Sequence, residues 1–139
     1  MRPNKEIKLL IADNDEGVLI ELERVFEDEG YATTTVLTRE EVSSLLCNGE
    51  YDLVVLDDFF SDGDSVDLLT NIQRSGMRPL IVVTFNRCPA PDQRARLREL
   101  GVSAFVDKLA HPEIVDIVRH LLAPRPGVRA RGDDFDSIT

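Results

Sequence analysis

Leu53–Ser65 reads LVVLDDFFSDGDS: four apolar residues, a pair of acids, two phenylalanines and a turn-forming string of Ser, Asp and Gly. A run that is apolar at every position, rather than at alternate ones, suits a strand covered on both faces, as in the centre of a parallel sheet. Such a strand ends here by projecting Asp57 from its tip. Two further runs have the same character, LLIA at 9–12 and LIVV at 80–83. ATTTV at 32–36 and AFV at 104–106 are β-branched or short and read as edge strands.

Five helical patterns separate and follow these runs. The first carries Val18, Leu22, Val25 and Phe26 at i, i+4, i+7 and i+8, and the last carries Ile114, Ile117, Val118, Leu121 and Leu122 in the same way. Thr38 with Glu41 forms a capping box for the second helix, Asp64 caps the third, and CPAPD at 88–92 leads into the fourth. Gly30, Gly49, Gly76 and Gly101 each follow a helical stretch, where a left-handed residue is expected. The pattern is (βα)5, and alternating units of this kind give an α/β fold with right-handed crossovers. With the first, third and fourth strands most apolar, the predicted order is 2-1-3-4-5, a flavodoxin-like doubly wound five-stranded parallel sheet. Residues 6–123 form the expected domain. The tail, 124–139, lacks periodicity, is rich in Pro, Gly and charge, and reads as disordered or partner-binding.

The net charge is −10, unevenly distributed: residues 1–67 hold 18 acids and 5 bases, residues 68–123 hold 5 acids and 8 bases. An acidic chain is poorly suited to polyphosphate, so direct nucleic-acid binding is not expected. No apolar stretch approaches the ~20 residues of a membrane span. With Cys47 and Cys88 alone and no secretory leader, the reading is a cytoplasmic protein with two free thiols.

In a parallel sheet the residues past every C-terminal strand end meet along one rim, where ligands bind. Those positions are Asp13, Asn14 and Asp15 after the first strand, Asp57 and Asp58 after the third, Thr84 near the end of the fourth and Lys108 after the fifth. Hard oxygen donors of this kind suit Mg2+, and a carboxylate held against such a cation can attack phosphorus to form an aspartyl phosphate.

Through LLIADNDEGV, YDLVVLDDFFSDGDS, LIVVTF and AFVDKL, over roughly residues 6–123, the chain resembles the receiver domain of two-component response regulators. The resemblance implies Asp57 as phosphoacceptor, and Asp13, Asn14, Asp57 and the backbone carbonyl of Phe59 as the Mg2+ site. It also implies that Thr84 and Lys108 contact the phosphoryl group, and that Phe105 is a switch aromatic. The implied partners are a sensor histidine kinase and a downstream protein or second copy docking on the face of the fourth helix, fifth strand and fifth helix. Enzymatic activity is not expected beyond self-phosphorylation and self-dephosphorylation.

Several positions depart from that family pattern. Asn14 stands where an acid is usual, so metal binding is expected to be weak. Phe85 replaces a small residue and must turn outward or narrow the pocket. Leu109 replaces a Pro joined through a cis bond, predicting a trans peptide and a displaced loop at Lys108. Ser61 and Ser65 reshape the loop after Asp57. Asp15 is expected to cap the first helix, and Asp58 to face away from Asp57 as a solvated acid. Phe59 and Phe60 read as core and rim packing, with shielding of an acyl phosphate by Phe59 as a further option. His111 and His120 read as solvated, and Arg87, Arg94, Arg96 and Arg98 form a basic run that is either a solvated face or an interface. The departures also permit a pseudo-receiver, a phosphorylation-independent interaction module. A phosphohydrolase using Asp57 is a third option, which would need a general acid at its side.

Overall fold

The computed structural model describes residues 6–60, 62–108 and 111–123. The expectations for Ser61, Leu109 and the tail 124–139 lie outside these residues. The elements run β1 (Lys8–Ala12), α1 (Glu16–Asp28), β2 (Ala32–Val36), α2 (Arg39–Asn48), β3 (Leu53–Asp57), β4 (Phe59–Phe60), β5 (Gly63–Asp64), α3 (Ser65–Ser75), β6 (Leu80–Phe85), α4 (Pro91–Glu99), β7 (Ala104–Asp107) and α5 (His111–Leu122). The main sheet has the order β2-β1-β3-β6-β7, with every pair parallel. This is the predicted 2-1-3-4-5 order, since β6 and β7 are the fourth and fifth long strands. The sequence reading missed the two-residue antiparallel pair β4–β5, which folds the segment after Asp57 back on itself.

Alternation along the central strands sorts side chains onto two faces. Leu10, Val54, Leu56 and Val83 pack beneath α2, α3 and α4, with Val42, Leu46, Leu69, Ile72 and Leu97 supplied by the helices. Leu9, Ile11, Val55 and Val82 pack beneath α1 and α5 against Leu22, Phe26, Ile117 and Val118. Both faces are covered, which is why β3 is apolar throughout and buried at all five positions. In α1 the buried stripe is Leu19, Leu22 and Phe26. Val18 and Val25, expected in that stripe, lie on its margin and are only partly buried. Phe26 and its neighbour in the turn, Tyr31, place their rings 6.2 Å apart.

Thr38 caps α2 by accepting from the Glu41 N–H at 3.2 Å. Glu41 returns to the Leu37 N–H at 3.1 Å and the Thr38 hydroxyl at 3.2 Å, one residue upstream of the partner an ideal capping box uses. Asp64 caps α3 as expected. Gly76 ends α3 with φ 85°, while Gly49, expected to be left-handed, is extended at φ −141° because α2 runs directly into the turn before β3.

Because Phe26 is fully buried, Phe26→Ala is expected to lower unfolding free energy by roughly 3–5 kcal/mol. Urea titration followed by far-ultraviolet circular dichroism measures this; a loss under about 1 kcal/mol would contradict the packing of α1 described above.

Candidate functional site

The strand register builds the site. Ala12 pairs with Leu56, so the next residues, Asp13 and Asp57, leave adjacent strands side by side. Asp57 itself pairs with Thr84, and the β6–β7 ladder continues past its last pair, Phe85 with Asp107, by a 2.9 Å bond from the Lys108 N–H to the Phe85 carbonyl. Four distant segments therefore converge at one end of the sheet. Asp13, Asp57 and Thr84 are buried there at 1, 3 and 2 % exposure, a depth at which unpaired charge is costly.

Lys108 supplies the pairing. Its Nζ donates to Asp57 Oδ2 at 2.8 Å and reaches Asp13 Oδ2 at 3.0 Å. The approach to Asp13 is poorly aligned, so Asp13 Oδ2 is buried without a well-directed hydrogen bond. Asp13 Oδ1 accepts from the Asp15 N–H at 2.9 Å, which fixes the loop after β1. Asn14 completes the cluster: with its amide nitrogen turned inward it donates to Asp57 Oδ2 at 3.1 Å and Asp13 Oδ1 at 3.3 Å. The opposite orientation would press its carbonyl oxygen against two carboxylates. Asp15 caps α1, accepting from the Gly17 and Val18 N–H groups at 2.8 and 3.4 Å, as expected.

Asp58 does not face away. The main chain leaves β3 at Asp57, so strand alternation no longer sets its direction, and its N–H donates to the Thr84 carbonyl at 3.0 Å. The side chain is half-buried, and its carboxyl lies within hydrogen-bonding reach of the Asp57 carboxyl. Burial pushes the Asp57 and Asp13 carboxyls above the ordinary range, and contact with Lys108 offsets this only in part. Burial likewise raises Asp58. For Lys108, burial opposes the ammonium, but hydrogen bonds and attraction to Asp57 and Asp13 outweigh it, and its pKa is raised. Burial is the main cause for the acids and pairing the main cause for the lysine, and repulsion among neighbouring carboxyls adds to the first.

Thr84 turns its hydroxyl toward the Leu56 carbonyl at 3.4 Å. Phe85 packs onto the α2–α3–α4 core, on the sheet face opposite the one where Asp57 and Thr84 project. It therefore turns away rather than narrowing the pocket. Phe105 is buried at 5 % exposure beneath the Arg98 guanidinium, 5.2 Å from the ring centre. Phe60 is core, whereas Phe59 is 63 % exposed, so the packing reading fails for Phe59. Of the basic run, Arg94 bonds the Pro89 carbonyl at 2.8 Å and Cys88 Sγ at 3.1 Å, while Arg87 and Arg96 are exposed. His120 is exposed near the end of α5.

Two supporting contacts escaped the sequence reading, one from Ser65, which was expected only to reshape the loop after Asp57, and one from Arg39. Buried Ser65 donates from Oγ to the Asp57 carbonyl at 2.5 Å and so pins the strand tip to the start of α3. Arg39, at the start of α2, donates to the Asp62 and Asp64 carbonyls and clamps the β4–β5 turn. Gly63, at φ 135°, lies directly against that guanidinium, leaving no room for a Cβ. Neither contact has a signal in local sequence pattern.

The donor set fits Mg2+. Two carboxylates are at hand, the Asn14 amide would have to turn over to offer its oxygen, and the poorly satisfied Asp13 Oδ2 offers a buried lone pair. Among the described residues no three His, Cys, Asp or Glu side chains are placed to hold a metal ion, so an ion here would depend on water for most of its ligands.

The family model of the response regulator receiver domain matches residues 9–119. Sensory/regulatory protein RpfC of Xanthomonas campestris is 27% identical over 107 residues, covering 75% of this chain and 15% of the relative. Transcriptional regulatory protein PmrA of Pectobacterium parmentieri is 28% identical over 138 residues, covering 96% and 60%. The chain thus spans less than two thirds of the length of either relative. Among solved structures, a CheY-like response regulator receiver domain protein from Methanospirillum hungatei superposes with a TM-score of 0.79 at 18% identity, covering 85% of this chain and 94% of that one. Response regulator TrrA of Thermotoga maritima, solved in complex with Mg2+ and BeF, gives 0.73 at 22% identity, covering 84% and 99%. Among the described residues no helix is long and apolar enough to cross a membrane.

The crowding of acids carries a thermodynamic consequence. A carboxyl whose pKa is raised by folding binds protons more tightly in the folded state, so its stabilising contribution is full in acid and is lost as pH rises through the raised value. Metal-free Asp57→Asn is therefore expected to be more stable than wild type by roughly 0.5–2 kcal/mol at pH 7, with the gain vanishing toward pH 3. Urea titrations at the two pH values check it; a destabilised variant at pH 7 would contradict the charge assignment.

Proposed function

The chain belongs to the response-regulator receiver domain family, and from that premise we propose that it is a phosphoacceptor switch, taking a phosphoryl group on Asp57 from the phosphohistidine of a sensor kinase. The observation that carries this reading is the 2.8 Å contact of Lys108 with Asp57, buried beside Asp13. In the proposed transfer an ionised Asp57 oxygen attacks phosphorus while the phosphorus–nitrogen bond to the kinase histidine breaks. Lys108 favours the ionised form of Asp57 against the effect of burial, offsetting it in part, and would then pair with a phosphoryl oxygen. Thr84, whose hydroxyl holds the Leu56 carbonyl only at 3.4 Å, is free to turn its donor toward the new phosphoryl group. Asp13, Asn14, Asp57 and the Phe59 backbone carbonyl would hold Mg2+. The ion, when bound, supplies positive charge beside the transferring oxygens.

Output would pass through protein contact. Thr84 on β6 pairs with Val106 on β7, the residue after Phe105, so movement of Thr84 would be passed through the backbone to Phe105, whose ring lies under Arg98 of α4. A shift there changes the α4–β7–α5 face, where Arg87 and Arg96 stand exposed for an acidic partner or a second copy.

One observation favours the pseudo-receiver reading. Asn14 already donates to both carboxylates, doing part of the work of a cation. For the phosphohydrolase reading, the proximity of Asp58 to Asp57 removes the geometric objection stated above, and turnover separates it from a switch.

Intact-mass measurement after treatment with acetyl phosphate and Mg2+ tests the proposal. The expected result is a gain of one phosphoryl, dependent on Mg2+ and abolished by Asp57→Ala. An unmodified protein would support the pseudo-receiver, and steady release of many equivalents of phosphate without retained label would support a hydrolase.

A further inference from the structure

Two departures from the family pattern, an amide at position 14 and an acid at position 58, meet in the same pocket. Asn14 contributes no charge, and in its present orientation it presents donors to Asp13 and Asp57 rather than a ligand oxygen. Asp13, Asp57 and Lys108 alone sum to −1, leaving a site that a dication would make net positive. Asp58 changes the balance. Its backbone is tied to the Thr84 carbonyl at 3.0 Å, and its half-buried carboxyl is turned to the Asp57 side of the strand tip. With it the set sums to −2, which a dication neutralises.

We propose that Asp58 is a positioning residue of the carboxylate pocket, restoring the negative charge that Asn14 lacks and thereby setting the pocket's affinity for a divalent cation. The inference rests on reading the pocket as a Mg2+ site. Independent of the acid count, Asp13 Oδ2 is buried with Lys108 Nζ at 3.0 Å but without an aligned hydrogen bond, which leaves a lone pair for an ion. Other nearby acids are committed elsewhere. Asp15 caps α1, Glu41 returns to the start of α2, and Asp62 pairs with Arg39 at 3.5 Å. Among the described residues no trio of acids encloses an ion. Asp58 therefore acts through its field and by accepting from the ion's coordinated water, the role of an outer carboxylate that holds ligands and hydration in place. Coulomb attraction at a half-buried position is screened less than at the surface, so one charge a few ångströms away has a measurable effect on affinity.

The test is Mn2+ binding to the purified chain by electron paramagnetic resonance, with Mg2+ competition, in wild type, Asp58→Asn, Asn14→Asp and the double variant. Asp58→Asn keeps shape and removes charge, and is expected to weaken Mn2+ binding roughly 10-fold. Asn14→Asp is expected to tighten it, and the double variant to return near wild type because the acid has only changed position. Affinity within twofold of wild type in Asp58→Asn, or a double variant as weak as Asp58→Asn, overturns the proposal while leaving the cation site standing. Absence of Mn2+ binding in both wild type and Asn14→Asp overturns the cation reading and the proposal together. Should Asp58→Asn fold poorly, the double variant carries the same comparison against Asn14→Asp.

Discussion

One ammonium holds the rim of this sheet together. Lys108 reaches Asp57 at 2.8 Å and Asp13 at 3.0 Å from the far side of β6, and all three side chains are at most 8 % exposed. Without it, two buried carboxylates would repel each other with only the neutral Asn14 amide between them, and burial would favour their protonated forms. The parallel sheet makes the contact possible, because its register delivers Asp13, Asp57 and Lys108 to the same end from strands far apart in sequence. The pocket is the point where the fold and the chemistry meet, and it is bound at some cost to stability, since three acids crowd one cation there.

The outline of this arrangement was legible in the sequence for a definite reason. A doubly covered strand has an apolar run, the run has an end, and the first charged residue beyond it must sit at the rim. That logic located Asp13 and Asp57, whereas after AFV it points to Asp107, and Lys108, one residue further on, owed its role to the family resemblance; the register of β3 with β6 brings Thr84 beside Asp57. It extended to the edge strands, whose weaker apolar character follows from having one neighbour rather than two. The caps were legible for a similar reason, because Thr38, Asp64 and Asp15 act on backbone groups two or three residues away.

Where the chain leaves regular structure the same logic stops. Asp58 was expected to point away because strand alternation was extended one residue too far; the structure ends β3 at Asp57, and the following residue turns toward the rim. The β4–β5 pair, the Arg39 clamp and the Ser65 bond to the Asp57 carbonyl all arise from chain reversals that carry no periodic signal. Gly49 shows the complementary limit: glycine permits a left-handed turn but does not require one. Phe85, which reads as an obstruction by comparison with a small residue, is instead partly buried against the core, because its position on β6 directs it to the opposite face.

The ammonium at the centre of this arrangement is open to direct measurement, since the chain has only three lysines, Lys5, Lys8 and Lys108. Titration of 13Cε-labelled lysine by nuclear magnetic resonance in metal-free buffer should show one resonance moving at higher pH than the others, absent in Lys108→Met and shifted down in Asp57→Asn. Three lysines titrating together in the ordinary range would mean that Lys108 is solvated and that no ion pair organises the rim.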